Sequence, residues 1–432
     1  MDPVHTLLLL GIFIALLVLG VPIAVGIALS ALVTLLFTMG LETASITVAQ
    51  RIATGLDRFT LLAIPFFILS GQLMNRGGSA RRLVDLARAL VGMLPGGLAY
   101  VNIVAGMLFG AISGSAAAAV AAVGGFMIPR MREQGYDTSF SAAVNVSSAT
   151  TSLIIPPSNI LIVYALASGG VSIAALFVAG YLPGLLVGLA LMAVAGFIAK
   201  KRGYPVDAPV APREIFRRFL AALPSLFLVV LIMGGIVSGT FTATEAGAIA
   251  VVYSFVLAVP VYREVTLRDV PKVLVDASVT TSIVLLLVGT SMAFSWVLAY
   301  ERIPQFVGES FALLGGSPIA TLLSINVILL VAGTVLDMTP AVLIFTPILL
   351  PVVQSIGVDP VHFGIVMVLN LCIGLCTPPV GSVLFLGCTV SGARIMDVSR
   401  ALIPLYIAMV VALLLVTFVP DIALALPRWL GI

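Results

Sequence analysis

Charged residues are scarce in this chain: Asp, Glu, Lys and Arg make up 9% of its 432 residues, whereas hydrophobic residues make up 61%. Histidine contributes two residues and cysteine three. The shortage of charge excludes a water-soluble globular domain, and a net charge of +3 is too small to indicate nucleic acid as a partner. Because no His or acidic cluster accompanies Cys372, Cys376 and Cys388, we expect these cysteines to pack rather than to bind a metal.

What the chain has instead is long apolar runs, which predict an all-α polytopic membrane protein. Several approach or exceed the roughly 20 residues that cross a hydrocarbon core, and the alternating pattern of a membrane barrel is absent. The run Leu7–Phe37 would be about 46 Å long as one helix, so we expect two short helices that turn near Gly20-Val21-Pro22. The other runs are Leu176–Ala199, Leu223–Val237, Ile283–Leu298 and Leu402–Val419. The first residues, MDPVHT, lack a basic signal-peptide region, so the first helix is expected to be retained.

The chain repeats its punctuating residues at a distance of 222 positions. Two elbows that interrupt apolar runs also coincide under this shift, and together these matches predict an internal duplication. The aligned pairs are Pro129 with Pro351, Gly135 with Gly357, Asp137 with Asp359, Pro156-Pro157 with Pro378-Pro379, and Ser113-Gly114-Ser115-Ala116 with Val335-Leu336-Asp337-Met338.

Charge predicts that the two copies have opposite orientations. Four arginines precede the first elbow and two follow it, so both of its flanks are predicted to be cytoplasmic. Its arms, Leu98–Ile112 and Ala116–Met131, are about 22 Å long, too short for a ~30 Å core, which indicates a re-entrant hairpin. No Lys or Arg lies between Arg302 and Arg394. The second hairpin is therefore expected to enter from outside. The six arginines are Arg76, Arg81, Arg82, Arg88, Arg130 and Arg132.

These inferences give a fold of two inverted repeats, with about ten spans, two hairpins and both termini outside. Amphipathic stretches at Ser79–Val91 and Leu267–Val275 are expected along the interface, with a solvated loop as the alternative. The predicted division is a first repeat at 1–202 (scaffold at about 4–78 and 176–199, hairpin and broken helix at about 93–168), a linker at 203–212, and a second repeat at 213–432 (scaffold at about 223–300 and 401–420, hairpin and broken helix at about 304–392).

A double proline interrupts the helix that follows each hairpin, in SSATTSLIIPPSN from Ser147 and NLCIGLCTPPVGS from Asn370. Proline leaves carbonyl groups unpaired, which a membrane tolerates only where the backbone lines a cavity or binds a ligand. Hairpin tips and broken helices in inverted repeats are typical of secondary transporters, in which their oxygen atoms hold a cation. Oxygen ligands with little formal charge suit Na⁺ better than Zn²⁺, Ca²⁺ or Mg²⁺.

Two candidate Na⁺ cages follow from this pattern. Asp337 is the one carboxylate predicted deep in the membrane, which makes it a functional candidate, with a structural pairing as the alternative. The first cage combines Ser113, Gly114 and Ser115 with Pro156, Pro157, Ser158 and Asn159, and the second combines Asp337, Met338 and Thr339 with Thr377, Pro378, Gly381 and Ser382.

Polar residues between the cages either line a substrate path or join helices by hydrogen bonds, and the sequence leaves both roles open. Glu245 is predicted to cap a helix after Thr242, and His362 to pack. The path candidates are Asn145, Ser147, Ser148, Thr150, Thr151 and Ser152, together with Asn159 and Ser382.

These residues resemble the large membrane subunit of tripartite ATP-independent periplasmic (TRAP) transporters over about Val4 to Val419. Ala243 stands where the family usually has proline. The resemblance implies an elevator-type mechanism that is driven by Na⁺ and imports an organic acid across the bacterial inner membrane. The motifs are GAISGSAAAAVAAVGGFMIPRMREQGY from Gly110, IIPPSN from Ile154, FTATEAGAIAVVY from Phe241, LDMTP from Leu336 and TPPVGSVLF from Thr377.

The resemblance also implies two protein partners: a soluble periplasmic substrate-binding protein and a small four-helix membrane subunit. The small subunit is expected as a separate chain, because the large-subunit pattern starts at once. Carried over by motif, the Na⁺ ligands are Ser113, Gly114, Ser115, Pro156, Ser158, Asp337, Thr339, Thr377 and Gly381.

Three other functions compete with this one. An intramembrane enzyme would need a catalytic dyad or metal motif, and no HExxH, GxGD or Asp-rich diphosphate site occurs in the sequence. A channel fits two occluding hairpin tips less well than alternating access does. A self-sufficient sodium/dicarboxylate symporter of related architecture is the runner-up.

Overall fold

The computed structural model describes residues 3–312 and 317–432, and every regular element in these ranges is a helix. A short 3₁₀ turn, Phe59–Leu62, joins the third and fourth helices. The helices of the first half are α1 (Pro3–Val18), α2 (Ile23–Met39), α3 (Leu41–Leu56), α4 (Ala63–Arg76), α5 (Ser79–Val91), α6 (Gly97–Ser113), α7 (Ala116–Glu133), α8 (Thr138–Ala149), α9 (Thr151–Ile154), α10 (Asn159–Ala167) and α11 (Ile173–Lys201).

The second half has ten helices within the described residues. A π-helical turn, Leu257–Val261, extends the second of them. Residues 1–2, at the N-terminus predicted to be periplasmic, and residues 313–316, in the predicted segment 304–392, lie outside the described residues. The helices are α12 (Pro212–Val237), α13 (Ala243–Val256), α14 (Val270–Tyr300), α15 (Ile303–Ala312), α16 (Pro318–Val335), α17 (Met338–Ser355), α18 (Pro360–Leu375), α19 (Ser382–Ser391), α20 (Ile395–Phe418) and α21 (Asp421–Leu430).

The all-helical membrane fold is confirmed. Seven helices of the described ranges are long and apolar enough to cross a membrane, or up to nine if two bent helix pairs each count as one span. These seven include α16 and α17, the two arms of the second hairpin. The apolar helices α2, α6 and α18 are shorter and are not among the seven. The first apolar run does turn where the sequence predicts, because α1 ends at Val18 and α2 begins at Ile23.

Several helices of the two repeats coincide at the shift of 222 residues. The second arm of each hairpin, α7 in one repeat and α17 in the other, has the same length and begins at the equivalent residue. The helices α11 and α20 also begin at equivalent residues. Asp137 and Asp359 occupy the same position as N-caps of α8 and α18, and each carboxylate accepts a backbone N–H of the first turn. Equal local chemistry thus produces equal helix boundaries in both copies.

Two contacts between the repeats fit an inverted arrangement. Arg132, at the base of the first hairpin, donates a hydrogen bond to the carbonyl of Ser391, where the second broken helix ends, at 2.9 Å. Tyr164, near the end of the first broken helix, donates to the carbonyl of Pro360, next to the base of the second hairpin, at 2.6 Å. Each hairpin base therefore adjoins the end of the other repeat's broken helix, as expected when the copies run in opposite directions.

One predicted amphipathic segment is a separate helix and the other is not. The stretch Ser79–Val91 forms α5 with the predicted bounds, and its apolar face, which includes Leu83 and Leu86, is buried. The stretch Leu267–Val275 was expected to lie along the interface, but from Val270 onward it belongs to α14, which continues without a break to Tyr300. No proline or glycine occurs between Pro271 and Gly289, so the polar first turns simply extend the helix, and their position at the interface stays a prediction.

The linker between the halves lies against the first hairpin. Arg88 of α5 donates two hydrogen bonds to Asp207, one of them 2.8 Å long, and this guanidinium holds the pKa of the carboxyl group below its usual range. Tyr204 stacks on Tyr136 with ring centroids 4.1 Å apart. Tyr136 also donates to the carbonyl of Pro205. The linker is therefore fixed to α5 by charge, and to the base of the hairpin by ring stacking and a hydrogen bond to its backbone.

Candidate functional site

Each hairpin turns at its tip because the backbone there leaves the helical conformation. In the first hairpin, Gly114 has a φ of +58°, a left-handed conformation that glycine adopts without strain. Ser115 then caps α7, since its hydroxyl oxygen accepts the backbone N–H of Ala118 at 3.3 Å. In the second hairpin, Leu336 is extended and Asp337 is the N-cap of α17.

Ser115 and Asp337 occupy equivalent positions at the shift of 222 residues, but their side chains are used differently. The Ser115 hydroxyl is engaged in capping. The Asp337 carboxylate makes no capping hydrogen bond, is exposed, and accepts the Ser382 hydroxyl at 3.3 Å. The carboxylate also stands at the N-terminus of α17, the positive end of the helix dipole. A carboxyl group with free oxygen lone pairs is thus available at the second tip.

The first helix break contacts the first tip through its backbone. Pro157 has no N–H for the carbonyl of Leu153, and the Ser158 hydroxyl donates to that carbonyl instead, at 2.6 Å. A Cβ at Gly114 would lie 3.0 Å from the carbonyl oxygen of Pro157. The tip and the break therefore approach closely, with carbonyl and hydroxyl oxygens between them.

The second break has the same double proline and a similar cluster of oxygens. Gly381 has a φ of +34°, and a Cβ there would lie 2.8 Å from the Thr377 carbonyl and 3.2 Å from the Leu375 carbonyl. The backbone N–H groups of Val380 and Gly381 donate to the carbonyl of Thr334 in the hairpin arm α16. Both Pro-Pro peptide bonds, one in each break, are cis. The break is thereby held against the base of the tip, with two carbonyl oxygens converging beside Gly381.

One cavity, of about 540 Å³, is lined by both hairpin tips. The candidate residues that border it come from both tips and from the residue after each break. Six other candidates do not border it and lie in the two breaks behind the tips: Pro156, Pro157, Ser158, Thr377, Pro378 and Gly381. The bordering candidates are Ser113, Gly114, Ser115, Asn159, Asp337, Met338, Thr339 and Ser382.

The other predicted path residues lie away from this cavity. Asn145, Ser148, Thr151 and Ser152 are at most 1% exposed. Ser152 donates to the carbonyl of Gly106, and the amides of Asn145 and Asn102 are 3.3 Å apart. Ser147, Thr150 and Thr151 donate to carbonyls three residues earlier in their own helix. In this arrangement Asn145 and Ser152 join α8 and α9 to α6, which is the second of the two roles left open by the sequence.

Sequence reasoning missed one wall of the cavity. Polar residues of α4 and α14 face the hairpin tips from the other side. The spacing of these residues could have indicated this wall. Gln72 lies four residues before Arg76, and Asp276 lies four residues before Thr280, so each pair shares one face of its helix. Each group stands at the end of an apolar run, where polar residues are typical of a helix terminus. The residues are Gln72, Asn75, Arg76, Asp276 and Thr280.

The remaining titratable candidates pack as expected. His362 is 2% exposed, and its Nε2 lies 2.7 Å from the carbonyl oxygen of Val416. The three cysteines are buried and form no disulfide. Within residues 3–312 and 317–432, no group of three His, Cys, Asp or Glu side chains could hold a metal ion. Thr242 and Glu245 form a reciprocal capping box at the start of α13, which confirms the predicted cap despite Ala243.

The oxygen atoms at both tips fit a monovalent cation better than a multivalent one. A Cβ at Gly114 of the first tip would lie close to the Pro157 carbonyl oxygen, and a Cβ at Gly381 of the second break would lie close to two carbonyl oxygens. One carboxylate, that of Asp337, is nearby at the second tip. Ca²⁺ and Mg²⁺ sites draw on more carboxylates, and Zn²⁺ on imidazole or thiolate. The donor set is therefore compatible with Na⁺.

Two hairpin tips that meet at one cavity, in an all-helical membrane fold, define the chain as a membrane transporter. The family model described as "Tripartite ATP-independent periplasmic transporter, DctM component" matches residues 10–422. The chain belongs to this family, and it is a large permease component rather than an enzyme.

Individual relatives agree with this membership. The chain is 52% identical to the protein YgiK of Salmonella typhimurium, over 98% of this chain and 97% of that one. It is 44% identical to the C4-dicarboxylate TRAP transporter large permease protein DctM of Pseudomonas aeruginosa, over 87% and 88%. Among solved structures, the YdaH transporter of Alcanivorax borkumensis matches with a TM-score of 0.64 at 13% identity, over 88% of each chain, and supports the fold alone.

Proposed function

We propose that this protein is the Na⁺-coupled large permease of a TRAP transporter that imports an organic acid. The observation that carries the proposal is the shared cavity, because both tips and the residues that follow both breaks border the same space. Sodium ions bound at the tips would neutralise Asp337 and the carbonyl dipoles, and would thereby favour entry of an anionic cargo. A C4-dicarboxylate, sialic acid or another carboxylate fits this scheme.

The mobile part in this scheme is the pair of hairpins and broken helices, about residues 93–168 and 304–392. It would carry cargo and ions past the scaffold helices in an elevator movement. A soluble periplasmic binding protein would deliver the cargo, and a small four-helix membrane subunit would complete the permease in the lipid of the inner membrane. Support for the partners comes from the family, whose members are components of tripartite systems.

Uptake by the reconstituted complex tests this function. Proteoliposomes that contain this chain and the small subunit, with the binding protein outside, are expected to accumulate one carboxylate from a panel of C4-dicarboxylates, sialic acid and sugar acids. Accumulation should require external Na⁺ and the binding protein. Full uptake by this chain alone would favour the self-sufficient symporter, and uptake without Na⁺ would refute sodium coupling.

A further inference from the structure

The wall of the cavity opposite the tips carries an ion pair that the function proposed above does not use. Arg76, in the last turn of α4, donates to Asp276 of α14, and their side chains are 36% and 41% exposed. Both residues border the cavity. A pair this exposed contributes little to stability, so a competing anion can replace the carboxylate at small cost.

Charge in the cavity makes this arginine unusual. Among the described lining residues, Arg76 is the one cation, and the two carboxylates belong to Asp276 and Asp337. An organic acid that enters this space meets a net negative wall with a single guanidinium. Arginine binds carboxylates through two parallel hydrogen bonds, a geometry that lysine cannot provide.

The neighbours of the guanidinium are also suited to a carboxylate. Gln72, Asn75 and Thr280 place amide and hydroxyl donors on the same two helix faces. The α4 backbone meets the first tip at Gly71, where a Cβ would lie 2.9 Å from the Ser113 carbonyl. Arg76 is five residues further on, or about 7.5 Å along the helix axis. The cavity that Ser113 and Arg76 both border, of about 540 Å³, has room for a small acid.

We propose that Arg76 is a carboxylate-binding residue of the cargo site and that Asp276 occupies its guanidinium when no cargo is bound. The inference rests on the proposed transport function. By the charge pattern of the chain, Arg76 lies at the cytoplasmic end of the cavity, so the cargo carboxylate exchanges with Asp276 as it arrives and leaves.

Opposite effects of two substitutions test this exchange, with the carboxylate that the wild-type complex takes up best as the probe. Arg76→Gln is expected to raise the KM for that acid at least about tenfold, the loss expected for one charge-assisted contact. Asp276→Asn removes the competitor and is expected to lower the KM about threefold. Arg76→Lys should give an intermediate KM, and the sodium concentration for half-maximal uptake should stay within about twofold in all three variants.

Arg81→Gln is the matched control, because Arg81 is an exposed arginine on the neighbouring helix α5 that does not line the cavity. If the ion pair were purely structural, Arg76→Gln and Asp276→Asn would each lower uptake and would each lower the melting temperature. That result, or an unchanged KM in both variants, overturns the inference while leaving the proposed function intact. If the wild-type complex takes up no carboxylate of the panel, the proposed function and this inference both fail.

Discussion

Uptake by an Asp337→Asn variant is expected to need at least about ten times more Na⁺ for half-maximal rate than the wild type, since a full negative charge at the ion site is lost. The carboxylate is exposed at the second tip, is not engaged in capping, and has one hydrogen-bond donor, Ser382. Asparagine keeps the shape and an oxygen atom but removes the charge. The sodium dependence of uptake at saturating cargo is the measurement.

Two further variants sharpen this test. Ser115→Ala, at the equivalent position of the first tip, should raise the sodium requirement less, because that hydroxyl is neutral and already caps α7. Asp421→Asn is the control, since Asp421 is an exposed carboxylate at the start of the last helix, where it pairs with Arg428. Unchanged sodium activation in both Asp337→Asn and Ser115→Ala would remove the ion sites from the tips.

Among these substitutions, Gly374→Val is expected to lower the free energy of unfolding the most. A Cβ at Gly374 would lie 2.5 Å from the carbonyl carbon and 2.6 Å from the Cα of Gly333, so two helix backbones would have to separate. Overpacking of this kind costs about 3 kcal/mol where no side chain can move aside. Because α16 leads directly into the second tip, Asp337 would shift and uptake should fall at least about a hundredfold, the effect of a roughly 1 Å misplacement.

Thermal unfolding measures this effect through the native cysteines. All three are buried, so a thiol-reactive dye reports their exposure as the protein unfolds. Gly125→Ala is the control, because that glycine lies on a hairpin helix and no atom beyond its own helix turn lies within 4 Å of its Cβ position. Replacing it should raise stability by about 0.5–1 kcal/mol, through helix propensity alone. A Gly374→Val variant as stable as the wild type would show that this helix contact does not determine the hairpin position.

The hairpins and breaks could be predicted from sequence because glycine and proline act locally. Pro156-Pro157 and Pro378-Pro379 end their helices through missing N–H groups, whatever the surroundings. The turn after Val18 and the bounds of α5 follow from the same local rules. The repeat then predicts the same feature at the equivalent residue of the other copy, 222 positions away.

The far wall of the cavity could not be predicted because it depends on tertiary packing. Arg76 and Asp276 are 200 residues apart and carry no mark of their pairing. The same limit applies to the polar stretch from Asn145 to Ser152, where hydroxyls on every face leave the direction of the cavity undetermined. The continuity of α14 was missed for the opposite reason, since a change in polarity does not end a helix without a backbone signal.

The opposite orientation of the two hairpins is the central claim, and cysteine labelling from one side of the membrane tests it most directly. Glu133 and Ser355 are exposed, end the second arm of their respective hairpins, and are equivalent at the shift of 222 residues. In cells whose outer membrane is permeable, a maleimide that cannot cross the inner membrane should label the Ser355→Cys variant at once. It should label Glu133→Cys only after the inner membrane is opened. Equal labelling of both variants from outside would contradict the inverted repeats and the ion sites built on them.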